Sequence, residues 1–328
     1  MPAFHPRWPW IGADLQTLHS FVVRRRMRRP GTSPARLEIA LDDGSGDRLL
    51  GWVDHPVASV TRSLVVLVHG LTGCSESSYM LATAASLLDA GHRVLRLNLR
   101  GAGGGRTLAR RHYHAGCSQD LRAVFAALPS ALTAHGVTAV GFSLGGNVLL
   151  KYLGEAGSTA AVRAAVSVSA PIDLAACSVR LRAPRNILYQ GYLLSRMRRE
   201  AAGMAASLTP DQRRAVDEVR DVYGYDDRVV APSNGFSGAA DYYARSSAKG
   251  FLSRIGIPTL LVQALDDPWI PGDIYRGVNW SGLPKLRSLL PARGGHVGFH
   301  AAGSRVAWHD RAIIGFLAQQ ETSCRLES

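Results

Sequence analysis

From Arg36 onward, short apolar runs alternate with amphipathic stretches, the pattern of strands joined by crossover helices around a mostly parallel sheet. Leu37 to Leu41 and Leu49 to Asp54 flank the turn sequence Asp43-Gly44-Ser45-Gly46, which predicts an opening antiparallel hairpin. Leu64 to Val68, Arg93 to Asn98, Val137 to Phe142, Ala164 to Ser169, Thr259 to Ala264 and Leu286 to Leu290 read as buried strands. Helices are expected at Ser77 to Leu88, stopped by Gly91, and at Gln119 to Leu128, stopped by Pro129, and Val306 to Gln319 closes the chain. The prediction is one α/β domain over 36–328, an eight-stranded, mostly parallel sheet with helices on both faces, preceded by an extension at 1–35. No fixed-period repeat interrupts the pattern, so a solenoid is excluded.

Between Pro171 and Pro258 the strand rhythm stops and helical patterns take over, with a start signal at Thr209-Pro210-Asp211-Gln212. An insertion at the carboxyl end of a strand lies over the crevice where open α/β sheets bind ligands. A helical cap over about 172–257 is therefore expected to shape a substrate pocket. The alternative is a helical extension packed on the sheet edge.

Gly141-Phe142-Ser143-Leu144-Gly145 stands between the apolar run Val137 to Val140 and the helix-forming run Asn147 to Leu153. A strand, a sharp turn and a helix with a serine at the apex follow from it. Glycines are needed two residues either side because a β-carbon there would strike the neighbouring strand or helix. The turn lifts the hydroxyl clear of the sheet and aims the helix amino terminus at any oxyanion formed there.

Composition narrows the class without naming a ligand. Apolar residues at 46% and charged residues at 19% describe an ordinary globular protein with ample core. The formal charge of +13 would fit nucleic acid or an anionic membrane surface, yet the arginines are scattered and only Lys151, Lys249 and Lys285 of the 38 basic residues are lysines. The one dense run, Arg24-Arg25-Arg26-Met27-Arg28-Arg29, lacks interleaved aromatics and reads as a solvated face, with no nucleic-acid partner expected. Cys74, Cys117, Cys177 and Cys324 are too widely spaced for a zinc site or a disulfide framework, which fits a reducing cytoplasm. Met1 to Trp10 has no apolar core of a signal peptide, and no run approaches the roughly 20 residues needed to span a bilayer. The expectation is a soluble protein, at most peripheral to a membrane, with no cofactor and no metal. Gly101-Ala102-Gly103-Gly104-Gly105 follows a strand but lacks the Gly-Lys-Ser/Thr of a nucleotide loop.

A serine hydroxyl needs a positioned base, and the base needs an acid to fix its tautomer. Asp266-Asp267-Pro268-Trp269-Ile270-Pro271 follows the strand Thr259 to Ala264, where the acid should sit. The Asp-x-x-x-Pro spacing to Pro271 selects Asp267, leaving Asp266 to cap a turn. His296, between glycines after the last strand, is the expected base among 11 histidines, with His112, His114, His300 and His309 read as surface or packed residues. Oxyanion donors are expected at the Leu144 and Leu71 amides, with Thr72 the second choice for the latter and His69 holding that loop.

These residues resemble the α/β-hydrolase superfamily, and its YheT-like branch in particular, related to eukaryotic ABHD lipid hydrolases and fungal alcohol acyltransferases. The resemblance rests on Gln16-Thr17-Leu18, His69 to Gly73, Asn98 to Gly101, Tyr113 to Gly116 with Asp120-Leu121, Gly141 to Asn147, Pro171 with Asp173, Asp241 to Tyr243, Asp266 to Pro268 and Gly295 to Phe299. It implies a triad of Ser143, Asp267 and His296 and the hydrolysis of short- or medium-chain carboxylic esters without a cofactor. One departure is Arg106 at the end of the glycine run, where the branch tends to have a small polar residue. Alcohol O-acyl transfer is the nearest alternative, disfavoured by the absence of a His-x-x-x-x-Asp motif, and a catalytically silent binding scaffold is a second.

Overall fold

The computed structural model describes residues 3–23, 29–31, 33–57, 62–204 and 207–327. Arg24 to Arg28 lie outside them. The eight strands are β1 (Ala35–Ala40), β2 (Arg48–Asp54), β3 (Leu64–Val68), β4 (Arg93–Leu97), β5 (Val137–Phe142), β6 (Ala164–Val168), β7 (Thr259–Val262) and β8 (Leu286–Leu289). They form one sheet in the order β1-β2-β4-β3-β5-β6-β7-β8. β1 and β2 make the expected hairpin and β2 runs antiparallel to β4, while every later pairing is parallel.

Strands buried on both faces sort alternate residues into two cores, because successive side chains point to opposite sides. On β3, Leu64, Val66 and Val68 face one core and Val65 and Leu67 the other. Helix α1 (Ala13–Val22) precedes the sheet and α2 (Ser78–Asp89) follows β3. Next come α3 (Ser118–Ala127) and α4 (Leu144–Ala156), which cover the first core with Leu121, Val124, Val148 and Leu149. The second core is closed by Met80, Ala84 and Leu87 of α2 together with Ile313 and Leu317 of the last helix, Trp308–Glu327. That helix starts two residues after the Val306 predicted from the sequence. The Val306 amide is taken by Ser304 Oγ at 3.1 Å, and the Trp308 amide by the Phe299 carbonyl at 2.8 Å.

Between β6 and β7 the chain runs through α5 (Leu174–Arg182), α6 (Ile187–Ala202), α7 (Pro210–Glu218), a turn of helix Val222–Tyr225 that continues as π-helix over Asp226–Val230, and α8 (Ala239–Ser246). Thr209 caps α7 as its sequence predicts: its hydroxyl accepts from the Gln212 amide at 3.2 Å and the Gln212 side chain accepts in return from the Thr209 amide at 2.9 Å. These helices have a small core of their own, built from Leu193, Leu194, Met197, Val216, Val222 and Val229.

Candidate active site

Ser143 sits between β5 and α4 with φ 50 and ψ −125, a conformation that costs a non-glycine residue of order 1–3 kcal/mol. The flanking glycines make this turn sterically possible. A β-carbon on Gly141 would lie 2.5 Å from the Gly145 carbonyl oxygen, and one on Gly145 would overlap the His69 carbonyl and lie 2.7 Å from that of Val68. Gly70 is constrained in the same way, since its β-carbon would stand 2.9 Å from that of Ser143. Backbone strain concentrates here: Thr72, Ser143, Ser169, Val297 and Phe299, the described non-glycine residues with positive φ, all lie in loops beyond β3, β5 and β6 or in the His296 loop.

The three side chains singled out in the sequence meet. Ser143 Oγ lies 2.9 Å from His296 Nε2, and His296 Nδ1 lies 2.8 Å from Asp267 Oδ2. Asp267 is 1% exposed and accepts three further bonds, from the amides of Trp269 (2.8 Å) and Ile270 (3.1 Å) and from Gln263 Nε2 (3.2 Å). A carboxylate offers only acceptors, so Nδ1 carries the hydrogen and Nε2 presents its lone pair to the serine hydroxyl. An oxygen held this way can pass its proton to Nε2 as it attacks an electrophile. The Trp269 ring stacks on the imidazole at 4.2 Å between centroids, which limits its rotation.

Asp266 does a different job. Its Oδ1 accepts from the Gly295 amide at 3.0 Å and so ties the histidine loop to the loop after β7; burial raises its pKa above the usual carboxyl range. His69 is fully buried and held neutral, burial pushing its pKa down to about 4. Its Nδ1–H donates to the Gly70 carbonyl at 2.8 Å and its Nε2 accepts from the Leu99 amide at 3.0 Å, which pins the loop after β3. The Thr72 amide is already committed to the Tyr113 hydroxyl at 2.6 Å. The Leu71 and Leu144 amides have no protein acceptor among the described residues, and both residues line the cavity beside Ser143.

Sequence reasoning did not foresee how the histidine loop is held. The His296 amide donates to Thr17 Oγ1 of α1 at 2.8 Å, and Gln16 brackets His300, accepting from its amide at 2.6 Å and donating to its carbonyl at 3.1 Å. β-Carbons on Gly295 and Gly298 would strike α1 backbone oxygens. The only sequence signal was Gln16-Thr17-Leu18 as a motif, without any indication of what it touches 279 residues away. Thr17→Val leaves that buried amide without an acceptor and is expected to cost about 1–3 kcal/mol of stability. Thr17→Ser, which keeps the oxygen, should recover most of it; thermal unfolding of both variants checks the pair.

A cavity of about 630 Å³, in the size range of small-molecule sites, opens from Ser143 and His296 beneath the helices between β6 and β7. Leu174, Leu181, Leu193, Met197, Val222 and Val229 make its wall largely apolar. A smaller one of about 180 Å³ also reaches Ser143 and is lined by Thr17, Ser20, Ser77, Tyr79, Tyr192 and Arg196. Among the described residues no cluster of His, Cys, Asp and Glu could hold a metal ion, and no helix is long and apolar enough to cross a membrane.

The family model for the alpha/beta hydrolase fold matches residues 63–302. The chain belongs to this alpha/beta hydrolase family. Within it, the chain is 31% identical over 299 residues to "Putative esterase YheT" of Escherichia coli strain K12, covering 90% of this chain and 86% of that protein. It is 30% identical to "Phospholipase ABHD3" of Mus musculus over 89% of this chain and 72% of that one. These matches place it in the YheT-like branch of the alpha/beta hydrolases. The solved structure of the Pyrococcus furiosus esterase Pf2001 matches with a TM-score of 0.57 at 17% identity, over 87% of this chain and 92% of that one, a likeness of fold alone. Ser143, Asp267 and His296 stand in the loops beyond β5, β7 and β8.

Proposed function

We propose that the protein is a serine carboxylesterase that works through an acyl-enzyme. The observation that carries this reading is the unbroken series from Ser143 Oγ to His296 Nε2 (2.9 Å) and from His296 Nδ1 to Asp267 Oδ2 (2.8 Å), with two uncommitted backbone amides alongside. Ser143 Oγ attacks the ester carbonyl carbon while His296 Nε2 takes its proton. The Leu71 and Leu144 amides receive the oxyanion. As the tetrahedral intermediate collapses, the imidazolium returns the proton to the departing alkoxide, leaving the acyl group on Ser143. Water, deprotonated by the same imidazole, then attacks the acyl carbon and releases the carboxylic acid, restoring the hydroxyl. Asp267 holds the imidazole in the required tautomer throughout and stabilises its charged form.

In this reading the segment over about 172–257 acts as a cap, and its apolar wall favours esters with a hydrocarbon chain of short to medium length. Relatives named as an esterase and a phospholipase support an ester-hydrolysing chemistry. The test is a series of p-nitrophenyl esters from acetate to palmitate, run beside labelling with a fluorophosphonate probe. Hydrolysis peaking below the longest chains, with labelling at Ser143, is the expected result. A protein that neither turns over any member nor takes the label is not a serine esterase.

A further inference from the structure

Among the described residues the buried carboxylates are well provided for, with one exception. Asp54 pairs with Arg96 at 2.7 Å, Asp47 and Asp120 pair with Arg100, Asp310 accepts from Thr83 and Ser86, and Asp267 accepts four bonds. Asp226 is 9% exposed and accepts a single bond, from the Tyr243 hydroxyl to Oδ2 at 2.7 Å. No arginine, lysine or histidine pairs with it among the described residues, and its hydrogen bond there engages Oδ2 rather than Oδ1. Asp226 lines the large cavity that begins at Ser143, in the π-helical stretch Asp226–Val230. π-Helical turns of this kind recur at functional sites.

The same cavity is lined by Leu174, Cys177, Val222, Tyr225 and Val229, and Ser178 Oγ lies 3.4 Å from the Tyr243 hydroxyl. An acceptor that lines the cavity with no protein donor is free to bond a group held there. A ligand that brings a hydrogen-bond donor would match it. Building on the esterase reading of the same cavity, we propose that Asp226, flanked by Tyr243 and Ser178, is a polar subsite that receives a hydroxyl group carried on the substrate's hydrocarbon chain.

A hydroxyl fits better than an ammonium group. A cation would have to shed its water to enter a largely apolar cavity, whereas a hydroxyl sheds far less. Burial, with Asp221 adding repulsion, pushes the Asp226 carboxyl up to about 7, so both of its forms are populated near neutrality. A hydroxyl donates to the carboxylate and accepts from the carboxylic acid, and so serves either form. The preferred substrate is then an ester whose chain is hydroxylated at the position that reaches Asp226.

Binding can be read without turnover by using long-chain methyl ketones, whose carbonyl occupies the place of an ester carbonyl but cannot be hydrolysed. A set of these ketones with a single hydroxyl moved along the chain is titrated by calorimetry into the wild type, Asp226→Leu and Asp226→Asn. The hydroxyl at one region of the chain should tighten binding to the wild type by about tenfold or more over the plain ketone, the size of a hydrogen bond to a charged acceptor. Asp226→Leu should lose that gain while binding the plain ketone as tightly as before or tighter. Asp226→Asn, which keeps an acceptor oxygen, should retain part of it. Thermal unfolding of each variant confirms that it is folded.

A hydroxyl that gives no gain in wild-type binding at any position overturns the subsite, as does a gain that survives in Asp226→Leu or a failure of every ketone to bind. The outcome is separable from the esterase reading. A hydroxyl-dependent gain in a protein without ester hydrolysis upholds the subsite and removes the proposed reaction. Ester hydrolysis with no such gain does the reverse.

Discussion

Ser143→Ala is expected to abolish ester hydrolysis, with kcat falling by about a million-fold, the scale on which a serine nucleophile of this kind is lost. His296 and Asp267 gain nothing from an intact geometry once the attacking oxygen is gone, so the remaining rate should come only from substrate binding and the two amide donors. Fluorophosphonate labelling should disappear with it. Alanine can take the same position, because the β-carbon already present in Ser143 is accommodated by Gly70 and by the turn. The melting temperature should therefore change little, which separates a loss of chemistry from a loss of fold. Retention of even a hundredth of the wild-type rate would remove Ser143 from the reaction.

The second large effect belongs to Asp267→Asn, for which kcat should drop by about ten-thousand-fold. The introduced asparagine would keep an oxygen for the Trp269 and Ile270 amides, which now bond Oδ1, and so would turn its amino group toward Gln263 and His296. A donor facing Nδ1 selects the opposite tautomer, in which Nε2 carries the hydrogen and can no longer accept one from Ser143. Asp266→Asn supplies the comparison, since an asparagine oxygen can still accept from the Gly295 amide. Its rate should fall by no more than about tenfold, the smaller cost expected for a group that only positions a loop. Equal losses in the two variants, measured as kcat on the same ester, would contradict the assignment of Asp267 over Asp266.

Much of this site was legible in the chain because its requirements are local. Gly141 is demanded by contacts within one strand, turn and helix, whereas Gly145 answers to the Val68 and His69 carbonyls of the neighbouring strand, and the spacing of both around Ser143 is visible in the chain. Asp267 follows its strand within a few residues, and the glycines either side of His296 mark its loop, although what they make room for is α1 at the other end of the chain. The choice between Leu71 and Thr72 was less visible. It depends on Tyr113, whose hydroxyl occupies the Thr72 amide from another loop.

α1 is the clearest case of what lay beyond reach. Its outward face carries exposed Leu15, Leu18 and Val22, while Gln16, Thr17 and His19 are buried, the reverse of the apolar-inward pattern that announces a surface helix. Gln16 and Thr17 bond the backbone of the histidine loop and His19 stacks on the His300 ring, partners almost three hundred residues later. Asp226 is similar: nothing near it in sequence distinguishes it from the neighbouring Asp221, which caps the helix Val222–Tyr225, or from Asp227, which bonds the Ala239 amide.

The strand and helix periods and the strained serine turn could be read from the chain alone, since each follows from sterics and hydrophobic alternation over a few residues, and the resemblance to the hydrolases added the order of Ser143, Asp267 and His296. Which amides stay free, which side chains brace the histidine loop and which carboxyl in the cavity wall has no basic partner among the described residues emerged only once the chain was folded. Those outcomes depend on atoms brought together from distant parts of the chain, and hydrogen bonding and desolvation act through distance in space, which local pattern does not encode.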